Sequence, residues 1–210
     1  MKSILKERNR AETEAETKTA LICKKAARVF SQKGFNATSL SQISKAARIS
    51  KGGIYHYFET KEDLLFLVLQ RFMDKVLCDL EKKLKPLIHP DEKLRCFITT
   101  HIDNYVHNVH ESRVMLHEVK NLPSVRWDLM KIKHKRFFEI LRGIVSDYFE
   151  SKGNPMSGES VKIATYALLG MINWIYWWYK PNGPISADHL ARKIYEIFVG
   201  EFREERNLRS

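Results

Sequence analysis

The stretch AARVFSQKGFNATSLSQISKAARISKGGIYHYFETKEDLL, residues 26–65, decides the fold. Its apolar residues return every three or four positions, in short runs separated by tight breaks, as amphipathic helices require. Ala20, Cys23, Ala27 and Phe30 make one face of a first helix that starts near Thr17. Gly34 closes it, being the residue type best able to take the left-handed conformation at a helix end. Ser39 opens a second helix, and Gln42 three residues later forms a capping box with it. Leu40, Ile43 and Ala47 are its inner face. After a break at Arg48 and Ile49, Ser50 caps a third helix, Lys51 to Tyr57. Thr60 caps a fourth, with Glu62 and Asp63 in its first turn, where the helix dipole favours negative charge.

Three short helices joined by tight turns make a helix-turn-helix unit. In such a unit the second helix crosses a DNA backbone while the third enters the major groove, which is wide enough for one helix. Ile54 and Phe58 lie four apart and anchor the third helix; Tyr55 and His56 point away from that face, and Tyr57 sits at its edge. The plainer alternatives are that Tyr55 only packs on a neighbouring helix and that His56 is merely exposed. Gly52 and Gly53 let the backbone approach phosphates closely, and the helix N-terminus favours anions. Thr38, Ser39, Ser50, Lys51 and Lys61 ring the same end with hydroxyls and charge suited to phosphate contacts.

On these residues the segment resembles the DNA-binding domain of the TetR/AcrR family. The resemblance rests on the run from Gly34 through Thr38 to Ile43, on Ser50-Lys51-Gly52, on Ile54-Tyr55-His56-Tyr57-Phe58 and on Lys61-Glu62. It implies DNA-contacting roles for Thr38, Ser39, Ser50, Lys51, Gly53, Tyr55, His56, Tyr57 and Lys61. One position departs from the pattern: the family usually has glycine where this chain has Arg48. Either Arg48 accepts backbone strain or the turn differs; its side chain could also reach a phosphate.

The charge distribution agrees with a nucleic-acid partner. The 210-residue chain carries a formal net charge of +11, and residues 1–61 hold 13 Lys and Arg against 5 Asp and Glu. A basic head on a nearly neutral body is the footprint of a DNA binder. Residues 1–16 read as a charged, weakly helical arm and residues 17–65 as the DNA-binding domain. Residues 66–210 read as a helical ligand-binding and dimerisation domain, and the fold class as all-α. Helices are expected over Asp91–His110, Glu111–Lys120, Val125–Ser151, Gly158–Tyr179 and Ala187–Glu205, with the fourth helix running to about Lys85. No strand alternation competes with them.

Two heads about one DNA turn apart read a palindrome, so a homodimer is expected. Leu190, Ile194, Ile197, Phe198 and Phe202 form one apolar face of the last helix and are the expected interface, together with the preceding helix. That helix is apolar nearly all round from Ala164 to Tyr179; one side is read as facing the partner and the other a ligand cavity. The uncharged run Ile163–Tyr179 is shorter than a bilayer span needs and reads as a buried helix, not a membrane segment.

The segment Asn173 to Ser186, NWIYWWYKPNGPIS, resembles a stretch in family members that repress fatty-acid, phenylacetate or steroid degradation and respond to acyl-CoA thioesters. Indoles can stack on adenine and cations can meet CoA phosphates. Asn173, Trp174, Trp178 and Lys180 are therefore candidate ligand contacts, Trp174 and Trp178 sharing a face at i, i+4. The blander alternative is that these aromatics fill an interface. The expected function is a transcriptional repressor that binds a palindromic operator and is released by a small effector, with an acyl-CoA as the candidate. The alternative is a regulator with another hydrophobic effector, or with none.

Asp103, His107 and His110 fall at i, i+4, i+7 near His101 and His117, a spacing that could hold zinc. Helical histidines so spaced more often line a surface or cavity, and no metal or cofactor is expected. Cys23, Cys78 and Cys96 sit in helical patterns and read as buried thiols of a cytoplasmic protein. No Gly-x-Ser-x-Gly, His-Glu-x-x-His, phosphate-binding loop or dinucleotide fingerprint occurs, so catalysis is not expected.

Overall fold

Caps punctuate the chain where the sequence places them. In this computed structural model the backbone is described for residues 2–204 and side chains for residues 15–200. All regular elements among the described residues are helices: α1 Lys2–Lys33, α2 Leu40–Ala47, α3 Lys51–Tyr57, α4 Lys61–Leu84, α5 Pro90–His107, α6 Val109–His117, α7 Ser124–Ser151, α8 Gly158–Asn173, α9 Ile175–Trp178 and α10 Ala187–Glu204, with a 3-10 turn at Val119–Asn121. The weakly helical arm expected at residues 1–16 is thus the continuous start of α1, and Glu16 pairs with Arg71 at its exposed end. Phe202 of the expected interface lies outside the residues whose side chains are described.

The caps behave as their residue types dictate. Gly34 takes φ 81° and its N–H closes α1 on the Phe30 carbonyl. Ser39 and Gln42 make both hydrogen bonds of the capping box. Thr60 and Asp63 form a second reciprocal pair at the start of α4, joined by Arg126, which binds the other Asp63 oxygen. Burial pushes the Asp63 carboxyl up, but the hydrogen bonds from Thr60 and Arg126 outweigh it and hold its pKa below the usual value.

Arg48 resolves the question its sequence position raised: it accepts the strain. Its backbone is left-handed, φ 57° and ψ 42°. Its N–H bonds the Lys45 carbonyl and the Ile49 N–H reaches back to Ser44, so α2 ends in a Schellman motif. A side chain in this conformation costs about 1–2 kcal/mol. Arg48→Gly is therefore expected to stabilise the protein, raising Tm by a few degrees in a thermal melt. Arg48→Ala keeps the β-carbon and is expected to leave Tm nearly where it is.

The chain divides into two compact units, one reaching to Phe72 and including His110–Met130, the other made of Met73–Val109 and the chain from Lys131 onward. The first unit packs α1 on α2 and α2 on α3 around Ile22, Ala26, Phe30, Ile43, Ile54 and Leu65, all 1% exposed or less. His110 belongs here: its Nδ1 lies 2.8 Å from the Ser31 hydroxyl.

In the second unit α5 packs against α10 and α8. Phe97, Ile98 and Ile102 meet a core that includes Leu168, Ile172, Leu190, Ile194 and Phe198. Tyr195 donates to Asp91 at 2.5 Å, and the Arg95 guanidinium, itself bound to Asp91, lies 3.6 Å over the Tyr195 ring. This tie fixes the start of α5 to the middle of α10.

The expected interface on α10 needs correction. Leu190, Ile194 and Phe198 are buried within their own chain, Phe198 packing edge-on against Phe149; Ile197 alone of these four is exposed. Amphipathicity marks a face that must be covered, and here the same chain covers it.

Two further expectations change. Helix Gly158–Tyr179 is interrupted at Trp174, where the N–H of Trp177 bonds the Trp174 carbonyl three residues back. Ile163 and Tyr166 on this helix are exposed within the chain. Of the cysteines, Cys23 is buried, its thiol pushed up to about 12 by desolvation, whereas Cys96 is half-buried and Cys78 exposed. No described helix is long and apolar enough to cross a membrane.

Candidate functional site

Helix α3 has seven residues, too few to be stable alone, so its position is set by what it buries. Ile54 is fully buried and Phe58 nearly so. Tyr55, 48% exposed, and the exposed His56 then stand on the outer face. Tyr57 is half-buried, its ring meeting His56 edge-on at 5.5 Å.

The start of α3 explains its two glycines differently. The Ser50 hydroxyl accepts from the Gly53 N–H at 2.9 Å. A β-carbon at Gly53 would come to 3.0 Å from that hydroxyl, so the cap would have to give by a few tenths of an ångström to admit a side chain there. At Gly52 a β-carbon would meet nothing within 4 Å, which leaves open backbone on an exposed helix end. Lys51, Ser50, Ser39 and Arg48 are all exposed around it.

Two residues expected on this rim have structural bonds of their own. Thr38 is 3% exposed and its hydroxyl donates to the Gly34 carbonyl at 2.8 Å, bolting the turn between α1 and α2. The Lys61 ammonium donates to the Phe35 carbonyl at 2.8 Å and lies 4.2 Å over the Phe35 ring. Sequence alone marks both as polar and does not say which way they turn.

The aromatic segment is a second candidate site. The break after α8 leaves Trp174, Trp177 and Trp178 exposed by 58%, 72% and 47%. An exposed apolar cluster of this kind marks an interaction surface. Trp174 stacks on Trp177, centroids 6.1 Å apart and planes 23° apart. The i, i+4 pairing of Trp174 with Trp178 fails because the helix that would align them is broken; Trp178 meets Tyr179 edge-on. Sequence reading passed over Trp177, and only a helix end placed at Asn173 would have signalled it. Tyr179 is buried and donates to the Ile185 carbonyl at 3.0 Å, which pins the following loop and leaves Lys180 exposed. Tyr105 of α5 donates to the Tyr176 carbonyl and fixes α9 from beneath.

The histidine set is not brought together. Helix α5 ends at His107, whose Nδ1 is taken up by the Asp103 carbonyl. The Asp103 carboxylate lies 3.6 Å from Lys83, and His110 belongs to the other unit. Among the described residues no three His, Cys, Asp or Glu side chains are arranged to hold a metal ion.

Two family models match the chain. Residues 22–68 match the bacterial regulatory proteins of the tetR family, and residues 88–201 a tetracyclin repressor-like C-terminal domain. The chain is similar to the HTH-type transcriptional repressor KstR2 of Mycolicibacterium smegmatis, 26% identical over 181 residues that cover 83% of this chain and 85% of that protein. It is also similar to the fatty acid metabolism regulator protein of Bacillus subtilis, 26% identical over 83% of this chain and 90% of the relative. Among solved structures, that of AibR in complex with isovaleryl coenzyme A and operator DNA matches with a TM-score of 0.77 at 26% identity, covering 86% of this chain and 97% of that one. A TetR-family regulator from Bordetella parapertussis matches with a TM-score of 0.80, also at 26% identity, over 86% and 93% of the two chains. The matched family and these relatives are transcriptional regulators, not enzymes.

Proposed function

Because the chain belongs to the TetR family of bacterial regulatory proteins, we propose that it is a cytoplasmic transcriptional repressor that binds a palindromic operator as a homodimer and is released by an acyl-CoA thioester. The observation that carries the DNA reading is the outward face of α3, Tyr55 and His56, set by buried Ile54 and Phe58. Around it Ser39, Arg48, Ser50, Lys51 and the open backbone at Gly52 and Gly53 contact phosphates, while Tyr55, His56 and Tyr57 face base edges. Thr38 and Lys61 act through the turn they hold.

The effector reading is supported by the exposed Trp174–Trp177 stack beside Asn173 and Lys180, and by AibR, a similar protein whose structure contains isovaleryl coenzyme A. The indoles take the adenine, and Lys180 meets a phosphate. Residues 17–65 are then the reading head and residues 66–210 the sensing and pairing body. Helix α4 runs through the division at Phe72 and Met73 and carries the ligand-induced shift from body to head. Release requires that the effector bind more tightly to the head spacing that does not fit DNA.

Duplexes retained from a randomised pool at low salt supply the operator. Acyl-CoAs from butanoyl to octadecanoyl are then titrated into the complex, with free CoA as control. Release by a restricted range of chain lengths, and none by free CoA, is expected. Failure to retain any duplex would overturn the DNA reading, and release by no acyl-CoA would overturn the effector reading alone.

A further inference from the structure

Acids on α4 are bound by cations on α7 in the same order along both helices. Asp63 pairs with Arg126, Asp74 with Lys133 and Glu81 with Arg136. Both members of the first pair belong to the first unit, and both members of the other two belong to the second. Like α4 at Phe72 and Met73, α7 runs through the division, at Met130 and Lys131.

We propose that Arg126 is a positioning residue for DNA reading: by holding Asp63 it fixes the start of α4 and with it the seat of α3, which makes α7 a second carrier, beside α4, of the effector's shift. The positioning part stands with any effector or none. The carrier part rests on the effector reading above.

Three observations carry it. First, the Arg126–Asp63 pair is sheltered. Its side chains are 30% and 25% exposed, whereas each of the other two pairs has a member more than half exposed, Asp74 at 53% and Arg136 at 61%. Water screens an exposed pair to near insignificance, but a sheltered carboxylate held by several donors is fixed in place. Second, Asp63 is a junction. One of its oxygens accepts from the Thr60 N–H at 2.7 Å and from the Thr60 hydroxyl at 2.5 Å, and the other accepts from Arg126. The Arg126 guanidinium also lies 5.6 Å over the Phe66 ring, so it grips α4 at two residues one turn apart. Third, the path to the reading helix is short. Thr60 stands two residues beyond Phe58, which with Ile54 seats α3, and Leu64 and Leu65 beside Asp63 are fully buried. A shift of α7 therefore reaches α3 through Arg126, Asp63, Thr60 and Phe58 without passing along α4. Such a network carries coupling when the effector prefers one of its arrangements.

The test uses the full-length protein, the duplex recovered above and acyl-CoAs from butanoyl to octadecanoyl. Amide hydrogen exchange is read over residues 60–66. Arg126→Met keeps a stem over Phe66 and removes the charge. It is expected to exchange roughly three- to tenfold faster there and to bind operator more weakly by a similar factor, with binding to random duplex unchanged. Arg126→Lys is expected to recover part of both losses. The factor by which the best acyl-CoA weakens operator binding is expected to fall in Arg126→Met as well. Lys133→Glu is expected to lower that factor with exchange over residues 60–66 unchanged, and Lys133→Glu with Asp74→Lys to restore it. Arg126→Gln replaces Arg126→Met should the latter fold poorly, circular dichroism reporting the fold. Unchanged exchange and operator affinity in Arg126→Met overturn the inference. Arg126→Lys that behaves as Arg126→Met overturns the ion pair as the cause. An acyl-CoA factor that stays at the wild-type value in Arg126→Met overturns α7 as a carrier. Release of the wild type by no acyl-CoA defeats the effector reading and the carrier part with it, while exchange and operator affinity still decide the positioning part.

Discussion

Ile54→Ala is expected to remove about 2–5 kcal/mol of stability and with it all specific duplex binding, whereas Tyr55→Ala, one residue along, is expected to leave stability within about 0.5 kcal/mol. The difference follows from burial. Ile54 is 0% exposed, so its truncation leaves a cavity lined by neighbours that close only in part. Helix α3 has seven residues and little hold other than Ile54 and Phe58, so the loss falls on the orientation of the helix as well as on its stability. Tyr55 is 48% exposed and its ring faces outward; its truncation removes area that only DNA would cover. Loss of one base contact is expected to weaken the specific duplex by about 1–3 kcal/mol while non-specific binding stays. Denaturant unfolding and duplex titration on the same two variants separate these outcomes. Equal stability loss in both, or full duplex affinity in Ile54→Ala, would show that α3 is not seated through Ile54.

How much of this was legible in the sequence depends on whether the signal was local. Caps are local. Ser39 with Gln42, Ser50 and Thr60 name their own partners within three residues, and α2, α3 and α4 begin where those residues place them. The pair Ile54 and Phe58 is local too, because a seven-residue helix has room for one buried face. What failed was partner identity across the fold. The apolar face of α10 is real, but periodicity cannot say that α5 and α8 of the same chain pack on α10 and leave Leu190, Ile194 and Phe198 buried. Thr38 and Lys61 were harder to read for a related reason: a polar side chain beside a turn has a carbonyl within reach as well as a phosphate. The histidine spacing presumed one uninterrupted helix, and the chain turns at Asn108 before His110.

Of the two helices expected at the dimer contact, α8 keeps an apolar side uncovered within the chain, and this gives the second large effect. On α8 the exposed positions Ile163, Tyr166, Ala167 and Gly170 recur at helical spacing and carry no charge, and Ile197 is the exposed apolar residue of α10. In a two-fold dimer each residue of this face acts from both subunits, so one substitution introduces two like charges into the same contact. Ile163→Lys is expected to split the dimer into folded monomers, because Ile163 is 62% exposed within the chain and a lysine there stays solvated until a partner covers it. A monomer loses the second head, and operator affinity is expected to fall by roughly a hundredfold or more, with binding to an isolated half-site unchanged. Leu190→Lys, by contrast, places an ammonium at a position 5% exposed within its own chain and is expected to unfold the protein, not to dissociate it. Light scattering on the eluting protein reads the mass, and circular dichroism reads the fold. A dimer that survives Ile163→Lys with unchanged dissociation would place the contact elsewhere. A Leu190→Lys protein that stays folded but turns monomeric would restore the buried face of α10 as the interface and would require that face to open before two chains meet.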